Sequence, residues 1–578
     1  MNETPEVTVQ EEPAQAGKPS FFSGKTAGIP NVAWLAAGGC LLCFCCALVI
    51  GLALYFGLPL LGGDPIVEVV PNDSMVYVSI DLLQTQSDRF NDILNAVQEV
   101  GDAEETKSME ETLDDLMDES FHMSFTDDVV PWIGQYSAFV VTDGDLATGE
   151  DLEFMVIVET RSKGSADEFV SKFVSTMEDE EDKDFDKNEK DGVTVYVYED
   201  KYSKENNIVI ARAGDFVYLS NSEDAVLRSA GLSKSDSLAN VKGYKDAVKA
   251  LPKGRLATLY VSGDAYSRYF DNIVEEMYYY SPTFNVPDSG VAGIAVGLSA
   301  TDAGLQADIA TAYDPDQLND FQKETLKGVY KDLTADKMVP GDTFVFMGVN
   351  SSLSPARFTD PDNPLYTSDV EESFDLMDKE SGINVPELLN LLSGEVVVAV
   401  GPARDGLFAD FEGVDIGATV VASTNDAPGF VDWFESMLRS ADLDYETDPL
   451  EIGGYKLNEV SVDMFFDSTT FIYGADKGYI ILGTSKSALE SGLKGGSSLA
   501  DNATYRDTWK SFPSGSRPYL YVNVTALMDF LVDNSDSYSA DDMRNARRNL
   551  EKVPVVAAAL NQNSGYVQSL TIIVFVSK

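Results

Sequence analysis

The chain repeats itself. Segments recur in the same order at an offset of about 260 residues, far above the period of solenoids, which points to a duplicated unit rather than a stacked array. Pro71-Asn72-Asp73-Ser74-Met75-Val76-Tyr77-Val78 returns as Pro340-Gly341-Asp342-Thr343-Phe344-Val345-Phe346-Met347, a turn feeding an alternating strand. Trp132-Ile133-Gly134-Gln135, followed by Ala138 to Val141, parallels Leu392-Ser393-Gly394-Glu395, followed by Val396 to Ala399, and both read as Gly-started strands. Phe154 to Val158 and the amphipathic stretch Ala166 to Met177 are echoed by Ala418 to Val421 and Pro428 to Leu438. Phe216 to Leu219 and Tyr479 to Leu482 lead into Ser222 and Ser485, each placed to cap a short helix. Last, Tyr244, Asp246, Pro252, Gly254 and Tyr260 keep one register with Tyr505, Asp507, Pro513, Gly515 and Tyr521.

Strands close in sequence, alternating with helices that cover one sheet face, argue for an α+β fold with mainly antiparallel sheets. The amphipathic stretch around Phe321, Val329 and Leu333 reads as a helix closing the first copy, and the charge-rich residues 178–191 read as an exposed loop. The expected layout is a disordered tail over 1–30, a transmembrane helix over 31–61, and two tandem homologous domains over 65–337 and 338–578.

From Val32 to Leu61 no residue is charged, a run longer than the roughly 20 residues needed to cross hydrocarbon as a helix. Lys18 and Lys25 precede it and no Lys or Arg follows until Arg89, so the positive-inside bias places the N-terminus in the cytoplasm and exports the rest. A cleaved signal peptide would have a shorter apolar core. Gly39, Cys43, Ala47 and Gly51 line small side chains on one face, as in helices that dimerise in membranes, although small residues are frequent in spanning helices generally. All four cysteines lie between 40 and 46, so the exported part has no disulfides and must be stabilised by its core.

With 41 basic against 96 acidic residues, the formal charge of −55 repels phosphate backbones and makes nucleic acid an unsuitable partner. The motifs Gly-x-Ser-x-Gly, Gly-x-Gly-x-x-Gly after a strand, the phosphate-cradling Lys loop and His-Glu-x-x-His do not occur. Ser491 and Lys494 satisfy Ser-x-x-Lys, but Gly495-Gly496 reads as the end of a helix. His122, the sole histidine, has no sequence neighbour to make it a base. Asp143-Gly144-Asp145 and Asp360-Pro361-Asp362-Asn363 offer oxygen ligands for calcium, yet neither completes an EF-hand loop. Tyr278-Tyr279-Tyr280 could stack on sugars or end a half-buried helix. No catalytic residue or cofactor is assigned, and whether a metal is bound stays open.

The strand opening at Pro71 to Asp81, Pro131-Trp132-Ile133-Gly134, the strand and helix from Phe216 to Leu227, and Tyr244 through Leu251-Pro252 to Tyr260 together resemble a family of bacterial membrane-anchored proteins, domain of unknown function 3352. The resemblance covers most of 65–578 and implies a bacterial envelope location with no catalytic or ligand residue to carry over. The expected function is that of a single-pass, extracytoplasmic binding or scaffold module with an envelope protein or glycan as partner. The alternatives are a carboxylate-dependent hydrolase of envelope glycans and a calcium-dependent adhesion or assembly module.

Overall fold

The structure, a computed structural model, describes residues 64–82, 109–269, 290–405, 416–440 and 445–577, apart from positions 147, 182, 202, 364, 365, 367, 465, 466, 496 and 535–539, together with Ile93 and residues 25, 26, 29 and 30. The expected spanning segment 31–61, with Gly39, Cys43, Ala47 and Gly51, lies outside the described residues, as do Tyr278, Tyr279 and Tyr280. Among the described residues no helix is long and apolar enough to cross a membrane. Lys25–Thr26 pairs antiparallel with Ile29–Pro30. Residues 64–577 fall in one compact unit that contains both expected domains.

That unit is α+β. Its first strands are β1 (Val76–Asp81), β2 (Ile133–Asp143), β3 (Glu153–Thr160), β4 (Asp186–Lys190), β5 (Val193–Tyr198), β6 (Ile208–Ala213), β7 (Phe216–Ser220), β8 (Ala257–Ser262), β9 (Val291–Thr301) and β10 (Gly304–Tyr313). Then come β11 (Val345–Asn350), β12 (Leu392–Pro402), β13 (Ile416–Thr424), β14 (Tyr445–Ile452), β15 (Tyr455–Met464), β16 (Asp467–Asp476), β17 (Tyr479–Gly483), β18 (Arg517–Asn523), β19 (Val555–Leu560) and β20 (Val567–Phe575). All join one antiparallel sheet in the order β4-β5-β6-β7-β3-β2-β1-β8-β9-β10, then β20-β19-β18-β11-β12-β13-β17-β16-β15-β14. Adding ten to each strand of the first series gives the second, read from the far edge inward.

Local chemistry sets this connectivity. Asp191-Gly192 joins β4 to β5 and Gly453-Gly454 joins β14 to β15; all four residues have positive φ, as mirror-image two-residue hairpin turns require. Ser222 accepts from the Ala225 N–H and Ser485 from the Ala488 N–H, so both expected helix caps are formed. The two edge strands protect themselves. β4 reads Asp-Lys-Asn-Glu-Lys, and β14 carries Pro449 among charged residues, features that block pairing with another chain.

Three expectations need correction. Residues 178–191 are not a loop: a helix runs through Lys163–Glu181 and β4 follows, because the stripe Val170, Phe173 and Met177 continues to pack while the charges face outward. The helix around Phe321 to Leu333 covers only Asp320–Thr325; it starts on an Asn319 capping box, Val329 is exposed, and Leu333 reaches the core from chain outside any helix or strand. The glycine motifs match one residue differently from the sequence reading. Leu82 N–H bonds to Gln135 O as Ser351 N–H bonds to Gly394 O, so Gly394 stands where Gln135 does, not Gly134.

Each series builds its core around the same ring triad. Tyr244 meets Tyr77 and Tyr260 edge-on at 6.1 and 5.1 Å, and Tyr505 meets Phe346 and Tyr521 edge-on at 5.7 and 5.2 Å, a favoured aromatic geometry. Register then fixes where the two series meet. Tyr260 pairs with Ala295 and Ala295 with Ala310; Tyr521 pairs with Ala557 and Ala557 with Ile573. Ala310 therefore corresponds to Ile573. Across the β10–β20 junction Gln306 pairs with Ile573, Ala310 with Ser569, and Asp308 with Thr571. The last pair is its own counterpart, so it marks a local two-fold.

Candidate functional site

A half-buried polar cluster lies along β1. Strand alternation puts Tyr77, Ser79 and Asp81 on a single face. The Tyr77 hydroxyl donates to Asp64, whose carboxylate also accepts the Ile66 N–H at 3.0 Å. On the neighbouring strand a register shift between Ile133 and Ser137 exposes two backbone donors, and Glu159 of β3 accepts both: Gln135 N–H at 2.9 Å and Tyr136 N–H at 3.1 Å. Glycine is needed at 134, since a Cβ there would lie 2.8 Å from the Glu159 side chain. The Gln135 amide donates to Asp81 at 3.2 Å, and the Tyr136 hydroxyl also bonds Asp81.

Desolvation dominates the electrostatics. It raises Asp64 above the usual carboxylate range despite the Tyr77 and Ser79 bonds, and raises Glu159 against the pull of its two backbone donors. Tyr136 is pushed up by burial and by Asp81, while burial lowers Arg255, whose guanidinium donates to Thr258 Oγ1 at 3.0 Å and Pro252 O at 2.5 Å. The donors around these carboxyls come from β1, β2 and the turn at Ile66–Glu68. Asp64 therefore fastens the chain just beyond the charge-free run to β1, while Asp81 and Glu159 tie β1, β2 and β3 together beside it.

The second series lacks this cluster. Register and the shared turn place Leu333, Phe346, Gly348, Asn350, Glu395 and Ser423 where the first has Asp64, Tyr77, Ser79, Asp81, Tyr136 and Glu159. The matching turn, Ala335–Lys337, is capped instead by Glu395, which accepts the Ala335 N–H at 2.8 Å. That turn buries its own carboxyl. Asp336 Oδ1 has no partner among the described residues, and desolvation pushes Asp336 up to about 6. Because the folded-state value exceeds that of an unfolded aspartate, stability falls as pH rises from about 4 through 6. Asp336→Asn is expected to raise the unfolding free energy at pH 7 by on the order of 2 kcal/mol. Denaturant titrations at pH 3.5 and 7 should show the gain only at the higher pH.

The residues singled out from sequence serve the fold. His122 pairs at the surface with Glu181 at 3.2 Å. Trp132 is buried against Phe169 and donates to Asp128 O at 2.9 Å. Ser491 lies in the last turn of helix Lys486–Leu493, and Lys494 pairs with Glu490 at 2.9 Å, so this is a helix end. Asp143 and Asp360 accept N–H groups of Gly144 and Asp362, and Asp145 accepts the Thr148 hydroxyl, within their own turns. Among the described residues no group of three or more His, Cys, Asp or Glu is placed to hold a metal ion. The Asp64 cluster escaped sequence reading because its members span almost a hundred residues; a signal was the replacement of Asp64, Tyr77 and Ser79 by Leu333, Phe346 and Gly348 in the second repeat.

Comparison with known proteins gives one decisive match. A family model described as "Protein of unknown function (DUF3352)" covers residues 35–574. The chain belongs to this family. No curated protein matches. Among solved structures, crystal forms III, IV and I of TP0453 align at 11, 10 and 12% identity, covering 47, 44 and 47% of this chain and 90, 83 and 88% of theirs, with TM-scores of 0.23, 0.21 and 0.22.

Proposed function

We propose that this DUF3352 protein is a non-enzymatic binding or scaffold module of the bacterial envelope. One helix over 31–61 holds it in the cell membrane with its N-terminus in the cytoplasm, and the two expected domains, 65–337 and 338–578, are tandem copies of one ancestral unit outside it. The observation that carries the reading is the continuity of the sheet. Two ten-strand series with the same connectivity share hydrogen bonds across β10 and β20, which suits a stiff platform better than two hinged lobes. Asp64, three residues beyond Leu61, supports the stem by tying the chain into β1.

Protease added to intact spheroplasts tests the topology. Digestion of 65–578 with survival of a membrane-embedded N-terminal fragment is expected, and full protection of the chain would overturn it.

A further inference from the structure

The helices Val524–Asp533 and Ala540–Leu550 follow β18 and lead towards β19. Between them lies a cavity of about 120 Å³ with two kinds of wall. It is lined by the apolar side chains of Val524, Met528 and Leu550 and by Thr525, Arg547, Arg548 and Glu551. In a chain with 41 basic and 96 acidic residues, arginines at 544, 547 and 548 on one helix are an unusual concentration of positive charge.

A purely structural role accounts for part of this. Arg547 and Arg548 sit in the last helical turn, where cations favour the dipole, and Arg547 Nε donates to Asp529 at 2.5 Å across the helix pair. It does not account for Arg548, whose bond in the structure is to the neutral amide of Asn545, three residues back on its own helix. Nor does it account for the apolar side chains of Val524, Met528 and Leu550 sharing one cavity with the two arginines. Guanidinium forks match tetrahedral oxyanions, and the cavity has room for several water-sized groups.

We infer that this cavity binds a phosphate ester, the phosphate held by Arg547, Arg548 and the Thr525 hydroxyl and a short alkyl arm lying on Val524, Met528 and Leu550. A lipid headgroup and a soluble alkyl phosphate share this chemistry. The acidic remainder of the chain repels anions at long range, so affinity must come from these local donors and fall with added salt.

Hydrogen exchange of Ala540–Leu550 in the full chain, reconstituted in phosphatidylcholine nanodiscs, tests the site. Butyl phosphate should slow exchange there about tenfold, which is about 1.4 kcal/mol, and butyltrimethylammonium, with the same arm and opposite charge, should not. Slowing by phosphatidylglycerol nanodiscs alone would support the lipid as source, and slowing by butyl phosphate alone the soluble ester. Arg548→Gln should abolish the slowing, read as the ratio of exchange with and without butyl phosphate in the same variant, because that ratio cancels any change the lost charge makes to the unliganded helix. Absence of slowing in both arms, or equal slowing in Arg548→Gln, would overturn the inference.

Discussion

Thr571→Val is expected to lower the unfolding free energy by about 2 kcal/mol, although it keeps the side-chain volume and removes one hydroxyl. Asp308 is a charged group only 5% exposed in the middle of the sheet. Its carboxylate accepts from Thr571 Oγ1 at 2.6 Å and from the Gln306 amide at 2.8 Å, and Thr571 Oγ1 accepts from Asn561 at 3.0 Å. Removing the hydroxyl leaves a buried carboxylate short of a donor and an amide short of an acceptor, and unmade buried bonds to charged groups are expensive. The same pair fixes how the two strand series join. A slip of one residue between β10 and β20 would turn Asp308 to the opposite face, so the polar pair selects one register from several that aliphatic pairing would tolerate. Urea titration should place the loss in the midpoint with an unchanged slope. A loss below about 0.5 kcal/mol would show that the junction is held by backbone pairing alone.

What the sequence disclosed and what it hid separate along one physical line. Alternating strands, caps at Ser222 and Ser485, and the tyrosines at 244, 260, 505 and 521 were legible because each depends on neighbours within a few residues or on repetition of a side chain in a fixed register. The joining of both series into one sheet was not, because it rests on backbone hydrogen bonds between β10 and β20, some 260 residues apart, which any pair of extended strands can form. Charge misled at 178–191, where composition suggested a loop. There the apolar stripe of the preceding helix and the edge position of β4 decide, and an edge strand is where charged residues are tolerated. The Asp64 cluster was hidden for a different reason. Its carboxyls are unremarkable among 96 acidic residues until the fold brings Asp64 against β1 and sets Asp81 and Glu159 on either side of β2.

Comparing that cluster with its counterpart turns the repeat into an experiment. Asp64→Leu alone should cost about 2 to 3 kcal/mol, since the fully buried Tyr77 hydroxyl and the Ile66 N–H both lose their acceptor. Tyr77→Phe alone should cost about 1 to 2 kcal/mol by depriving Asp64 of its donor. Together they install the pair found at Leu333 and Phe346, so the double variant should be more stable than the sum of the single losses predicts, by about 1 to 2 kcal/mol. Full recovery requires one more step. In the second series the turn N–H that Asp64 would have taken goes to Glu395, the counterpart of Tyr136. Adding Tyr136→Gln should therefore return part of the remaining deficit by supplying an acceptor without a charge beside Asp81. The pH dependence carries an independent sign. Asp64 is raised above its unfolded value, so the parent loses stability as pH climbs from about 4 through the raised value, and variants carrying Asp64→Leu escape that loss. Their disadvantage should shrink between pH 4 and 7. A double variant with strictly additive losses and an unchanged pH profile would mean that Asp64 and Tyr77 act separately, and that the stem is not fastened to β1 through their bond.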